Sequence, residues 1–143
     1  MGWYNAHLHC FIANGREFAP VDEDYGFESD AEDETKVRVT SLLKQKGAKM
    51  KYTYDFGDGW DHTIVYEGEV PGPAGIPRVL KGRRACPPED IGGPYEFARI
   101  MDIVNGKLPP EEGALEKLQW LGKFTPDEFD VAKANRRLEL LLS

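Results

Sequence analysis

The sequence has few cysteines and no long apolar run. Its two cysteines, Cys10 and Cys86, lie 76 residues apart without a CxxC pair. That spacing excludes a disulfide framework and predicts a reducing, cytoplasmic setting. The longest aliphatic run is Leu140–Leu142, far short of the roughly 20 apolar residues of a membrane span. No basic start with an apolar stretch and a cleavage site is present, so we expect neither a membrane partner nor secretion.

The sequence also lacks the common catalytic motifs. A phosphate-binding loop, a GxGxxG fingerprint, a GxSxG elbow and an HExxH helix are all missing, which removes most common enzyme classes. The sequence therefore requires no cofactor, although its acids and histidines are compatible with a divalent metal.

Charge is unevenly distributed along the chain. The net charge is −7 and the pI is about 5.0, which disfavours nucleic acid as a partner for the whole surface. Eight acids and no base fall between Asp22 and Glu34. The stretch Val70–Pro88 carries no acid and four bases, Arg78, Lys81, Arg83 and Arg84. This basic stretch is interpreted either as a solvated loop face or as a local binding strip.

Hydrophobic patterning predicts an α+β fold in one domain over residues 1–143. Residues 49–69 alternate around Gly57-Asp58-Gly59, which predicts a central β-hairpin in an antiparallel or mixed sheet. The later part has helical spacing over about 94–106, 110–121 and 126–142, with Thr125-Pro126 predicted to start the last helix. We expect these C-terminal helices to pack against the sheet. The acidic stretch 21–34 has no usable period and predicts a loop.

The start of the chain is predicted to form a second hairpin. His7–Ile12 is rich in apolar and aromatic residues, Asn14-Gly15 is a tight-turn pair, and Arg16–Ala19 returns as a partner strand. On a strand His7 and His9 share one face, where two imidazoles can hold a metal. The simpler interpretation is a half-buried strand with histidines at its rim.

Acids, an imidazole and aromatic rings crowd the tip of the predicted central hairpin. A turn needs one acid and one glycine, and the remaining carboxylates can cap backbone amides. The motif holds more carboxylates than a turn requires, and this excess favours general acid–base or metal chemistry. The candidate residues here are Asp55, Asp58, Trp60, Asp61 and His62, and His7, His9, Asp58 and His62 are weak candidates for a metal.

A second unusual segment precedes the first C-terminal helix. Prolines, acids and the pair Gly92-Gly93 give a rigid loop before Pro94, at a helix N-terminus that favours anions. The acids can equally satisfy the first amides of that helix. The candidate ligand-binding residues are Arg83, Arg84, Cys86, Glu89 and Asp90.

Two motifs carry a family resemblance. YDFGDGWDH (residues 54–62) followed by GRRACPPEDIGGPY (residues 82–95) resembles the plasmid ORF-3-like family, first named from an open reading frame on an Ri plasmid. The start Gly2-Trp3 with His7-Leu8-His9 agrees with it. The resemblance implies an α+β protein associated with mobile genetic elements, with no established reaction and no assigned catalytic residue. Family members usually begin earlier, so we expect this chain to lack their N-terminal strands and helix.

Two functions from different classes follow. The favoured hypothesis is a non-catalytic binding or accessory module whose motif loops form a recognition groove. The alternative is a small metal-dependent hydrolase or nuclease-like enzyme using Asp55, Asp58 and His62, joined by Cys86, Glu89 or Asp90. A strand His7–Ile12 without its upstream neighbours would also be an open edge, which predicts a second copy of the chain as a partner there.

Overall fold

A computed structural model of the protein describes residues 2–21, 30–69, 75 and 77–142. The chain divides into two compact units. We call Asn5–Val70 the sheet unit, and Met1–Tyr4 with Pro71–Ser143 the helical unit. The organisation of residues 1–143 as one domain stays a prediction.

The sheet unit contains a mixed five-stranded sheet in its described part, as predicted. The strand order is β3-β2-β1-β4-β5, with β2 and β3 parallel and the other pairs antiparallel. The strands are β1 (His9–Ala13), β2 (Arg16–Ala19), β3 (Glu32–Asp33), β4 (Lys49–Tyr54) and β5 (Trp60–Val65). Both residues of the predicted turn Asn14-Gly15 have positive φ, as the tight hairpin turn between β1 and β2 requires.

The prediction that the N-terminal strand is an open edge is wrong. Strand β1 pairs with β2 on one side and with β4 on the other. Its backbone donors and acceptors are therefore used within this chain, and it offers no row of unpaired groups to a second copy. Among the described strands, β3 and β5 are the outer ones.

The hairpin of β4 and β5 is confirmed, with the predicted faces. Tyr52 lies opposite His62 and Tyr54 opposite Trp60, and directly opposite residues share a face of the sheet. A short helix α1 (Val39–Leu42) packs over the same face. The buried core there consists of Ala13, Phe18, Leu42, Leu43 and Met50.

The acidic stretch is more ordered at its end than predicted. Glu32–Asp33 forms β3, and Glu34–Lys36 forms a 3-10 turn. The Asp33 carboxylate caps that turn by accepting the Thr35 backbone N–H, so the acids here serve local structure. Residues 22–29 of the predicted loop lie outside the described residues.

The helical unit contains α2 (Gly93–Val104), α3 (Glu112–Leu121) and α4 (Val131–Leu142). The first two agree with the predicted helices within a few residues. The last begins five residues later than predicted, because Asp130 and not Thr125 supplies the cap: its Oδ1 accepts the Lys133 backbone N–H at 2.8 Å. No helix in the described part of the chain is long and apolar enough to cross a membrane.

Candidate functional site

Asp55 closes the turn of the central hairpin. It is buried and adopts a left-handed backbone, with φ of 56°. Its Oδ1 accepts the backbone N–H groups of Gly57 at 3.0 Å and Asp58 at 3.2 Å. Its backbone carbonyl accepts the Gly59 N–H at 2.6 Å. Half of this carboxylate is therefore used by the turn, as the structural interpretation of the motif expected.

The other oxygen of Asp55 faces an imidazole. His7 Nδ1 lies 3.6 Å from Asp55 Oδ2. The His7 ring also packs edge-to-face against Tyr54, with centroids 5.8 Å apart. A buried carboxylate beside an imidazole can orient the ring and hold its proton.

The two N-terminal histidines are separated. His7 precedes β1 and faces Asp55, whereas His9 lies in β1 and faces Glu34. His9 Nε2 lies 3.1 and 3.2 Å from the two carboxylate oxygens of Glu34. The sequence did not indicate Glu34 as a site residue, because it belongs to a run of acids that showed no period.

Asp61 and His62 point to opposite faces of the sheet. Asp61 accepts a hydrogen bond from Thr53 Oγ1 at 2.7 Å and pairs with Lys51 Nζ at 2.9 Å. The Thr53 bond and then Lys51 hold the pKa of the Asp61 carboxyl below its usual range. His62 Nδ1 lies 3.2 Å from the carbonyl oxygen of Tyr52. The two side chains are adjacent in sequence but cannot form one catalytic pair.

A row of rings crosses the core-side face of the sheet. Tyr52 stacks on Phe11 at 4.7 Å and on His62 at 5.4 Å between centroids, and His9 lies 5.8 Å from Tyr52. Burial, and then the charge of Glu34, raises the pKa of the Tyr52 hydroxyl. The row places His9 and His62 on either side of Tyr52. Strand alternation predicted the face on which His62 lies, but it did not predict the contact of His9 with Tyr52.

The remaining tip residues have different environments. Trp60 is buried opposite Tyr54, and Asp58 is half-buried within the turn. The candidate residues of the hairpin therefore lie in separate environments. Asp55 serves the turn, Asp61 belongs to a surface ion pair, and His62 belongs to the row of rings. Ligand or metal binding by Asp55, Asp58, Trp60, Asp61 and His62 stays a prediction.

In the helical unit the start of the chain holds the loop before α2. Trp3 Nε1 donates to the carbonyl oxygen of Pro87 at 2.8 Å, and the Tyr4 backbone N–H donates to Glu89 Oε2 at 2.8 Å. Cys86 is half-buried, and this burial raises the pKa of its thiol despite the opposing charge of Arg137. Glu89 is thus a loop-fixing acid, whereas Asp90 is exposed with φ of 60°.

The N-terminus of α2 is closed by a lysine from α3. Lys117 Nζ donates to the Ile91 carbonyl at 3.0 Å and to Glu96 Oε1 at 3.0 Å. Glu96 also receives two bonds from Arg99, at 2.8 and 2.9 Å. These partners, Arg99 first, lower the pKa of Glu96 to about 2. The acid in the first helical turn is therefore part of a fixed ion network.

Residues 78–85 contain neither helix nor strand, and we call them the basic segment. It contains the exposed side chains of Arg78, Lys81, Arg83 and Arg84. Asn135 on α4 holds it at Val79 through two hydrogen bonds, Val79 N–H to Oδ1 at 2.8 Å and Nδ2 to the Val79 carbonyl at 3.0 Å. Asn135 interrupts the apolar stripe of α4, where an amide requires a hydrogen-bond partner, and the Val79 backbone supplies it.

Comparisons with known proteins agree with the motif resemblance. A family model described as "Plasmid pRiA4b ORF-3-like protein" matches residues 1–133. The "Uncharacterized protein y4hQ" of Sinorhizobium fredii (strain NBRC 101917 / NGR234) is 38% identical over 138 residues, covering 94% of this chain and 67% of that protein. A crystal structure of a "Protein of Unknown Function MM3350" from Methanosarcina mazei Go1 is similar with a TM-score of 0.73 and 27% identity. The match covers 92% of this chain and 74% of the chain in that crystal structure.

Proposed function

We start from the fact that this chain belongs to the plasmid pRiA4b ORF-3-like family, and we propose that it is a non-catalytic binding module whose basic segment takes single-stranded nucleic acid. The descriptions of the matched family and relatives name no reaction. The observation that carries the proposal is a partly exposed aromatic ring packed on the backbone of the basic segment at Gly82, whose sequence neighbours are the exposed cations Lys81 and Arg83.

That ring belongs to Phe129. A Cβ built on Gly82 would lie 2.3 Å from Phe129 Cε1, so the ring rests directly on the backbone of Gly82, between Lys81 and Arg83. Phe129 is nevertheless 39% exposed. A ring that is accessible beside cations supports stacking of a base with contacts to its flanking phosphates, the combination that single-strand binders use.

The backbone of the basic segment is fixed along its length. Besides the Asn135 anchor at Val79, the Ala85 N–H donates to the carbonyl of Pro126 at 2.9 Å. Val79 contacts Asn135, Gly82 contacts Phe129, and Ala85 contacts Pro126, so the two stretches meet in opposite chain directions. A fixed segment presents its side chains without paying the ordering cost of a mobile loop on binding.

The charges of the basic segment are available to a partner. Within the described residues, its four cations make no ion pair. The net charge of the sequence disfavours nucleic acid as a partner. However, the entire net charge of −7 belongs to the sheet unit, which has seven bases and fourteen acids. The helical unit has eleven of each. Since salt screens charges beyond about 8 Å at physiological ionic strength, the local charge governs contacts at the segment.

An acidic peptide is the competing partner, and the ring argues against it. Carboxylates would satisfy the four cations equally well, but a peptide of glutamates offers nothing to stack on Phe129. Arginines, three of the four cations here, match the geometry of phosphate through their planar fork of donors.

Fluorescence anisotropy tests the proposal with labelled dT20 as the probe and polyglutamate as the competitor. We expect dT20 to bind with a slope of log K against log salt of about −3, from four phosphate contacts on a single strand. The double variant R83E/R84E should reduce binding by at least about 10-fold more than K44E/K46E, which changes net charge equally on exposed lysines of the sheet unit.

A separate variant tests the contribution of the Phe129 ring. Phe129→Leu should weaken dT20 binding about 10-fold through lost stacking while leaving the salt slope unchanged. Equal effects of the two double variants, or competition by polyglutamate as strong as by unlabelled dT20, would overturn the assignment.

A metal-dependent hydrolase is the second candidate, supported by the His7–Asp55 pair. The other candidate residues of the central hairpin are dispersed, because Asp61 points away from His62 and Asp55 Oδ1 serves the turn. Metal analysis of protein purified without chelator separates the candidates. Stoichiometric metal that is lost in His7→Ala would favour the enzyme.

A further inference from the structure

We propose that the sheet unit holds a second binding site, a pocket for a small amphipathic amine with an aromatic or aliphatic body. The pocket has a volume of about 250 Å³ and lies on the core-side face of the sheet. It is lined by Phe11, Phe18, Glu34, Thr35, Val37, Val39, Leu42 and Met50. This site shares no residue with the basic segment and does not depend on the function proposed above.

The walls suit an apolar body. Six of the eight lining side chains are apolar, and they come from β1, β2, β4 and the segment 37–42. An apolar cavity of about 150 Å³ in another protein accepts benzene, so a pocket of this size accommodates a ring with a short substituent. An aromatic ring would also lie beside Phe11, which continues the stacked row toward Tyr52.

One wall carries an incompletely paired carboxylate. Within the described residues, the only side-chain hydrogen-bond partner of Glu34 is His9 Nε2, which reaches both oxygens from 3.1 and 3.2 Å. A single N–H cannot satisfy a carboxylate with about four acceptor sites. By contrast, the neighbours Glu32 and Asp33 pair with the full cations Arg16 and Lys36.

Charge complementarity therefore selects the head group. An ammonium placed in the pocket would donate to Glu34 in a partly desolvated position, where charge-assisted hydrogen bonds are strong. An anion would be repelled by the carboxylate of Glu34, the acid among the lining residues. A neutral alcohol would return one hydrogen bond to Glu34 but would bring neither a compensating charge nor further donors. The site thus favours a cation with an apolar tail.

Three probes of similar size separate these classes: phenethylamine, 2-phenylethanol and 3-phenylpropionate. Methyl NMR titration of the full chain reports binding through Val39, Leu42 and Met50. We expect phenethylamine to bind at least about 5-fold more tightly than 2-phenylethanol, and 3-phenylpropionate to be weakest. Glu34→Gln should remove the preference for the amine while keeping the pocket.

Two matched variants locate the site. Val39→Trp fills the rim from an exposed position and should abolish all shifts, whereas Val65→Trp, on the opposite face of the sheet, should not. No shifts with 10 mM phenethylamine, equal binding of amine and carboxylate, or shifts that persist in Val39→Trp would each overturn the proposal.

Discussion

The sheet unit buries its apolar side chains along one face, whereas the helical unit leaves many of its own in solvent. Phe18 is 1% exposed and Met50 is also buried in the core of the sheet unit. In the helical unit Leu80 is 84% and Leu140 is 78% exposed, and α4 has no buried residue. The sheet unit is therefore organised mainly by apolar burial.

The helical unit buries Ile91 and Ile100 completely, and it adds a set of side chains that bond to backbone. Asn135 binds Val79, Trp3 binds Pro87, and Lys117 binds Ile91. Each contact fixes a loop to a distant part of the chain through one or two hydrogen bonds. The basic segment is thus held by a few polar contacts, while an apolar group within it, Leu80, stays exposed.

The largest expected effect comes from breaking the apolar core of the sheet unit. Phe18→Ala should lower the free energy of unfolding by about 3–5 kcal/mol, because it removes a fully buried ring. Denaturant unfolding followed by amide NMR signals of residues 49–65 measures it. Phe56→Ala at the exposed hairpin tip is the matched control, and a comparable loss there would contradict the comparison.

A smaller effect is expected from the polar anchor of the helical unit. Asn135→Ala leaves the Val79 N–H and carbonyl without protein partners, at a cost of about 2 kcal/mol. Hydrogen exchange at the Val79 amide should accelerate by about 10-fold or more. The exposed Asn105→Ala is the control. Unchanged exchange at Val79 would show that the basic segment is fixed by other contacts.

The smallest effect is a pH dependence of the helical unit that comes from Glu96. The pKa of Glu96 is lowered to about 2 from its ordinary value of 4.5. The unfolded chain therefore takes up this proton first as pH falls, so the contribution of Glu96 to stability is complete above pH 4.5 and lost toward pH 2. Acid unfolding of the helical unit should become flatter in Glu96→Gln. Carboxyl NMR showing Glu96 titrating near 4.5 would refute this.

Much of the fold follows from local patterns in the sequence. Strict alternation over residues 50–54 and 60–64 indicated which side chains share a face, because the side-chain period of a strand is two. Proline and glycine marked the ends of α2. Two features escaped prediction for a physical reason: β3 pairs in parallel with β2, and β1 pairs with β4. Such pairing joins distant residues and leaves no local pattern.

The candidate site was less predictable than the fold. Residues adjacent in the motif YDFGDGWDH point in different directions, since neighbours on a strand face opposite sides of a sheet. Glu34 and Phe129 were missed because their importance comes from what they touch, His9 and Gly82, and not from their own surroundings in sequence. Asn135 was predictable, because an amide on an apolar stripe requires a partner.

The position of β1 in the sheet has a consequence for synthesis of the chain. This strand emerges from the ribosome before β4, and Ile12 pairs with Lys51, 39 residues later. At translation rates of roughly 5–20 residues per second, one side of β1 waits about 2–8 s for its partner. During that interval Phe11 and its neighbours are held only by the β1–β2 hairpin, and two-stranded hairpins are at best marginally stable in water. The nascent chain therefore passes through a stage in which its central strand is open to wrong partners, a hazard that ends only when β4 is made.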